Sequence, residues 1–256
     1  MTKTGAGSPA LPAGVQSVER AFALLEALAS AEGELALANA AAAAGLALPT
    51  AHRLLKTMQS LGYVRQVESR SYGLGPGLVH LGLRATPSRA RIAMPIMQEL
   101  EEISQETVNL AELNGDYVAY IGQVPSRHQM RMFTEVGREV LPHASGVGKA
   151  ILSTLSEATV RRILDSVGMP RYTDATVTEV EALLEQLRMT QSRGFAIDDG
   201  EREVGVRCIA VPIPHSRSAI SISGPAARIT DAEARICVEA LQRAAVTLAE
   251  LFAGSR

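Results

Sequence analysis

With 46% hydrophobic residues, 4% aromatics and no tryptophan over 256 residues, the chain can bury an aliphatic core for one large domain or two small ones. Its two cysteines, Cys208 and Cys237, rule out a disulfide framework and fit a reducing, cytoplasmic compartment, and no apolar run approaches the roughly 18 residues of a membrane span. The net charge of −2 conceals an asymmetry: Met1–Arg91 holds 9 Lys/Arg against 5 Asp/Glu and Ile92–Arg256 holds 16 against 22, a basic first third on an acidic body.

Met1–Gly14 is rich in Gly, Ala, Pro and Ser and lacks an apolar h-region, so residues 1–14 are expected to be a disordered tail rather than a signal peptide. Ser17 then stands as the N-cap of a first helix, with Val18, Phe22, Leu25 and Leu28 at helical spacing and Gly33 just past its end. A second helix is predicted from Leu37 through the run Ala40–Ala44, stopped by Gly45 in the C′ position. A third opens at Pro49, whose missing N–H would be unpaired in a first turn anyway. Ala51, Leu54, Leu55, Met58 and Leu61 form its apolar face, and Gly62 ends it. Tyr63–Val67 and Ser71–Leu74 follow as short strands joined by the polar turn Glu68-Ser69-Arg70. Three helices and a basic-tipped hairpin, in that order, predict a winged helix-turn-helix over residues 15–75.

Gly75-Pro76-Gly77 is a breaker, and residues 76–91 read as a linker helix. The body, residues 92–256, opens with a helix carrying Ile92, Ile96, Leu100 and Ile103. It continues as Val108–Leu113, Asn114-Gly115 and Asp116–Val124, a strong hairpin signal. Further strands are expected at Met130–Thr134, Gly194–Asp198, Arg207–Ile213 and Ala219–Ser223. Helices are expected at Gly146–Thr154, Ser156–Ser166, Glu179–Ser192 and Asp231–Phe252, the last two opened by the capping boxes Thr178-x-x-Glu181 and Thr230-x-x-Glu233. This irregular mixture predicts an α+β domain with a mainly antiparallel sheet.

The third helix offers Thr50, Arg53 and Lys56 on or near the face opposite its apolar residues. A guanidinium can bond a guanine bidentately in the major groove, which makes Arg53 the candidate base reader; Thr50 suits a thymine methyl or a phosphate, and Lys56 a phosphate. Ser17 and Arg20 lie at the positive end of the first helix, and Arg65 and Arg70 lie on the wing, within reach of backbone or minor groove. The alternative is the solvated face of an ordinary helix, and the second helix brings no basic residue to the DNA.

The segments Gln16-Ser17-Val18-Glu19-Arg20, Gly45-Leu46, Thr50-Ala51-His52-Arg53-Leu54-Leu55, Leu61-Gly62-Tyr63-Val64 and Tyr72-x-Leu74-Gly75 resemble the IclR family of bacterial regulators. The body resembles the family's effector domain at Leu141–Ala150, Asp198-Asp199, Gly205–Ala210 and Ser221–Pro225. The resemblance covers nearly everything after Gly14. It implies a GAF-like effector domain, a homodimer or dimer of dimers, and control by a small metabolite. The alanines of the second helix and Ala47-Leu48-Pro49 depart from the family pattern, which bears on phosphate contacts rather than on the fold. The stretch from Val124 to Gly137, with the short turn before Ser221, resembles actinobacterial regulators of allantoin breakdown.

Gly146-Val147-Gly148-Lys149 lacks the first glycine and the Ser/Thr of a P-loop, since His143 and Ala150 occupy those places. What remains is a small-residue turn opening a helix whose free N–H groups could hold a carboxylate. Ser221 and Ser223 alternate with Ile220 and Ile222, so both hydroxyls share one face of a strand, either exposed or lining a polar site. From the resemblance, the effector contacts fall on Gly146, Val147, Asp198, Cys208, Ser221 and Ser223, with Met132 as an apolar wall. Cys208 has no base paired with it by spacing, so no catalytic residue is assigned. The five histidines show no i, i+4 pairing, so no metal or other cofactor is expected.

The expected function is therefore a sequence-specific DNA-binding repressor, not an enzyme. It would act on double-stranded DNA at a palindromic operator, without a membrane partner, under control of a small polar or anionic metabolite such as a 2-oxo acid or a ureide. A hydrolase built on Cys208 or a serine, and a constitutive DNA-binding protein with a vestigial pocket, are the competing readings.

Overall fold

The computed structural model describes residues 15–31, 33–67, 70–85, 88–132 and 135–254; the predicted tail, the wing tip at Glu68-Ser69 and the pair Phe133-Thr134 lie outside them. The chain divides into two units at Thr86/Pro87.

The first unit begins with α1 (Gln16–Ala29), β1 (Leu35–Ala36), α2 (Leu37–Ala43) and α3 (Leu48–Ser60). Ala40 and Ala41 of α2 and Ala51 of α3 are buried, so the alanine run serves close helix packing. Gly45 takes φ +64 between α2 and α3, a left-handed position that a side chain would strain. Leu24, Leu28 and Leu55 join Val64 and Tyr72 in the core, each leucine contributing about 1.5–3 kcal/mol by burial. The wing strands are β2 (Val64–Gln66) and β3 (Ser71–Leu74), and β1 pairs with the free edge of β3 to give the sheet order β1-β3-β2. Two residues carry no readable periodicity, which is why β1 was not expected.

Two readings of the first helix are corrected. Its N-cap is Val15, whose carbonyl accepts from Val18 and Glu19, so Ser17 lies within the first turn and caps nothing. Val18 and Phe22 are exposed by 52% and 60%; of the predicted stripe Leu28 is buried, and Leu24 is buried with it. Within the predicted linker, α4 (Gly77–Ala85) belongs to the first unit and α5 (Ser88–Ser104) to the second.

In the second unit β4 (Thr107–Asn114) and β5 (Tyr117–Val124) form the predicted hairpin, with Gly115 at φ +60 in its turn. Together with β6 (Glu139–Val140), β7 (Ala196–Asp199), β8 (Val206–Pro212) and β9 (Ser218–Pro225) they make one antiparallel sheet of order β6-β5-β4-β9-β8-β7. Side chains alternate across it. Val108, Leu110, Ile209, Val211, Ile220 and Ile222 pack with α5 and α9 (Asp231–Ala253) on one face. On the other face Ala111, Ala196, Ala210 and Ala219 receive Val147, Ala150 and Ile151 of α6 (Gly146–Leu152), beyond which α7 (Glu157–Val167) and α8 (Val180–Arg193) share a further apolar cluster.

The strand expected at Met130–Thr134 is absent among its described residues, 130–132, and the sheet edge is β6. Neither predicted capping box forms. Thr178 Oγ1 accepts from Arg171, Glu181 pairs with Arg161, and Glu179 is the N-cap of α8. Thr230 does stand at the N-cap of α9, without a side-chain bond. The hydroxyls that cap are Ser145, accepting from the N–H of Gly148, and Ser156, accepting from that of Thr159.

Candidate nucleic-acid interface and effector cavity

In the first unit, α3 buries Ala51, Leu55 and Met58 and exposes Pro49, His52, Arg53, Lys56, Thr57 and Ser60, with Thr50 half-buried. This is the two-faced helix that groove reading requires. The Arg53 guanidinium makes no hydrogen bond or ion pair among the described residues, and its donors face solvent. Lys56 Nζ lies 3.3 Å from Gln59 Oε1 and 3.4 Å from Gln66 Oε1, which ties the end of α3 to the wing. Arg65 is held by Glu34 at 2.9 Å, so its charge is shared with an acid rather than free. Arg70 is exposed with φ +61 at the base of the wing turn, Ser17 is exposed and Arg20 half-buried in the first turns of α1. His52, Thr57 and Ser60 of α3 are also exposed and were not among the expected contacts.

In the second unit, four strands bring one row of polar side chains together. Asp198 stands opposite Cys208, Cys208 opposite Ser223, and Ser223 opposite Thr107. The row faces the start of α6. Asp198, Cys208, Ser223, Ser145, Gly146 and Met132 line a cavity of about 240 Å³ together with Tyr120, Arg138, Val140, Arg202, Glu203 and Val206. Gly146 is required by distance: a Cβ there would sit 2.7 Å from Cys208 Sγ. Asp198 is 5% exposed. Its Oδ1 accepts from the backbone N–H groups of Glu201 at 2.8 Å and Arg202 at 3.4 Å, which folds the turn after β7 over the cavity. Burial pushes the Asp198 carboxyl up to about 6, although the backbone N–H of Glu201 and the charge of Lys149 oppose the rise. Burial likewise raises the Tyr120 phenol.

Two of the expected contacts lie off this cavity. Val147 is fully buried among Ala150, Ala196 and Ala210, because the first turn of α6 aims its side chain at the sheet; only its backbone lies at the helix start. Ser221 is on the predicted face but one row away, opposite Ala210 and Asn109. It does not line the cavity, and its buried Oγ makes no hydrogen bond of normal geometry among the described residues. Met132, Gly146, Asp198, Cys208 and Ser223 line the cavity together. Tyr120, Arg138 and Arg202 were missed; the last two lie in turns, where no periodicity marks them.

The chemistry is that of binding. Burial, aided by the charge of Asp198, raises the Cys208 thiol to about 11, the opposite of an activated nucleophile. His143 has Nε2 engaged with Pro170 O at 3.0 Å and lies outside the cavity lining. Lys149 of the P-loop-like segment turns inward to Glu201 at 2.5 Å. Among the described residues no cluster of metal-ligating side chains is present, and no helix is long and apolar enough to cross a membrane.

The family model described as "Bacterial transcriptional regulator IclR C-terminal" matches residues 89–250, and the IclR helix-turn-helix domain matches residues 17–68. The transcriptional repressor IclR of Escherichia coli (strain K12) is 44% identical over 226 residues, covering 85% of this chain and 82% of that protein. The structure superposes on an IclR-type transcriptional regulator from Alicyclobacillus acidocaldarius with a TM-score of 0.79 at 26% identity, over 93% of this chain and 99% of that one. It also superposes on an IclR homolog from Microbacterium hydrocarbonoxydans complexed with 4-hydroxybenzoate, with a TM-score of 0.78 at 25% identity, over 93% and 100% of the two chains. The family and these relatives are transcriptional regulators, not enzymes. With both halves matched in order by their own family models, this chain belongs to the IclR family of transcriptional regulators.

Proposed function

We propose that the chain is a cytoplasmic repressor whose grip on a palindromic operator is set by a small carboxylate held in the cavity of its second unit. The observation that carries this reading is the lining itself. Arg138 and Arg202 share a cavity with the hydroxyls of Ser223 and Tyr120, above the N-terminal turn of α6, whose first N–H groups have no partner within the helix. Two cations favour an anion over a neutral ureide such as allantoin. The Microbacterium homolog holds a carboxylate, which supports the same class of ligand here.

Residues 15–75 would read DNA through Arg53 and Thr50, residues 76–91 would connect, and residues 92–256 would sense the effector. Val15, Val18 and Phe22 at the start of α1 and Val79 and Leu81 of α4 are exposed apolar residues on the DNA-reading unit, which supports a second copy covering them. A two-fold pair of winged helices needs a palindromic site, and a ligand that prefers one arrangement of the pair shifts the population toward it.

The test is a melting-temperature screen of the full chain against pyruvate, glyoxylate, 4-hydroxybenzoate, allantoate and allantoin, followed by release of an operator fragment by each hit. The expected result is stabilisation by at least one carboxylate, and none by neutral allantoin. Stabilisation by allantoin alone would overturn the choice of ligand class. A DNA complex indifferent to every stabilising ligand would overturn effector control.

A further inference from the structure

Resting on the reading of this cavity as a carboxylate-effector site, we propose that the effector is a dicarboxylate, with its second carboxylate met by Arg138 and Arg202 at the cavity mouth. The cavity has two ends of different character. Ser145, Gly146, Asp198, Cys208 and Ser223 are buried and form the floor. Arg138 is exposed, Arg202 half-buried, and both line the same space. A carboxylate at the floor leaves the mouth arginines facing only the exposed, solvated carboxylates of Glu135 and Glu203. The cavity's 240 Å³ is the share of about eight water molecules in the liquid. That is room for a chain reaching from floor to mouth.

The two guanidiniums arrive from separate elements, and each keeps N–H donors open. Arg138 precedes β6, where its carbonyl accepts from the N–H of Tyr120 at 3.1 Å and fixes its backbone at the sheet edge. Its ion pair with Glu135 is 4.0 Å long and largely solvated, so it holds the side chain weakly. Arg202 follows β7, with its backbone N–H on Asp198. It makes no ion pair among the described residues; its guanidinium lies 3.9 Å over the ring of Tyr172. Stacking of this kind fixes a guanidinium's plane while leaving its in-plane N–H donors available. Glu203 is also at the mouth, exposed and screened by water. Glu135 and Glu203 balance the two arginines in formal charge, but both acids are exposed and solvated, so it is the open guanidinium N–H donors that suit a carboxylate and disfavour an apolar or cationic end group.

The experiment titrates the full chain by calorimetry with succinate, 2-oxoglutarate, adipate and cis,cis-muconate, each beside its monomethyl ester, and with pyruvate and 4-hydroxybenzoate. At least one diacid is expected to bind tenfold or more tighter than its own half-ester. Arg138→Gln, which disturbs only the long Glu135 pair, should weaken that diacid at least fivefold more than the half-ester, since a charge-assisted bond carries roughly a ten- to hundredfold effect on affinity when well formed. Arg202→Gln should act in the same direction, with circular dichroism reporting whether loss of the Tyr172 contact has altered the fold. If pyruvate, 4-hydroxybenzoate or the half-esters bind as tightly as every diacid, the dicarboxylate assignment fails and the carboxylate-effector reading stands. If Arg138→Gln weakens diacid and half-ester equally, the mouth site fails. If no acid of either kind binds, both readings fall together.

Discussion

The carboxylate of Asp198 accepts the backbone N–H of Glu201 at 2.8 Å while standing opposite Cys208 in the β7–β8 ladder, so one acid both closes a turn and floors the cavity. Burial raises its pKa from 3.8 to about 6. A raised acid favours the folded state when protonated. That stabilisation is fully present below pH 3.8 and is lost as pH rises through about 6. Two pKa units correspond to about 3 kcal/mol at most. Asp198→Asn keeps a carbonyl for the Glu201 N–H and removes the titration. Its urea midpoint should therefore gain on the unsubstituted protein between pH 4.5 and 7.5. An anionic effector placed beside Asp198 should further favour the protonated acid. Carboxylate affinity should then fall as pH rises above about 6, and calorimetry in buffers of different ionisation enthalpy should register proton uptake at pH 7. Identical heats in all buffers would remove Asp198 from the binding equilibrium.

Lys149 and Glu201 form a buried pair at 2.5 Å, with 2% and 8% of their side chains exposed, and Gln186 Oε1 takes a second Lys149 bond at 3.2 Å. Lys149→Met should cost about 3–5 kcal/mol, because it leaves Glu201 charged and unpaired in the interior. Adding Glu201→Leu should recover most of that loss, since an apolar pair of similar volume carries no desolvation penalty. Chemical denaturation of the two variants decides the point: a double variant as unstable as the single one would mean that packing, not charge, is at stake.

Gly146 is set by contact with Cys208. An alanine Cβ would sit 2.7 Å from Cys208 Sγ and 3.3 Å from its Cβ. Gly146→Ala should destabilise the protein by about 1–3 kcal/mol, the usual penalty for overpacking, and should weaken any ligand seated on the cavity floor. Cys208→Ala in the same chain removes the nearer atom and should restore most of the stability. Failure of that rescue, measured by thermal melting, would place the strain elsewhere in α6.

The legible parts of this chain were those in which local pattern and tertiary role agree. Alternation alone put Ser221 and Ser223 on the face opposite Ile220 and Ile222, and the glycines after α2 and α3 marked where those helices stop. Pattern could not tell which apolar residues of α1 are buried, because the exposed Val18 and Phe22 satisfy the helical period with Leu28 as well as the buried Leu24 does. Nor could it tell Ser223, in the cavity, from Ser221, one ladder row away; that distinction depends on where α6 crosses the sheet. Arg138 and Arg202 escaped notice for a related reason. They are far apart in sequence, sit in turns, and meet only because β5–β6 pairing and the turn at Asp198 bring both to one opening. Thr178-x-x-Glu181 matched a capping box, but Arg161 offered Glu181 a charged partner at 2.8 Å.

Arg53 and Lys56 should separate base reading from phosphate contact. Both are exposed on α3, but Arg53 has its donors free whereas Lys56 Nζ is within reach of Gln59 and Gln66. A bidentate contact to guanine is worth about 1–3 kcal/mol of discrimination, so Arg53→Ala should cost roughly ten- to hundredfold in operator affinity and bring it close to nonspecific binding. Arg53→Lys should fail to restore it, because an ammonium lacks the planar fork. Lys56→Ala should weaken operator and random DNA alike, and should lower the slope of log K against log salt by about 1. Neither change should alter effector-induced melting shifts, since the cavity lies wholly in the second unit. Fluorescence anisotropy at several salt concentrations measures all three variants. Retention of operator preference by Arg53→Ala would mean that sequence is read elsewhere, with His52 on the same exposed face as the next residue to substitute.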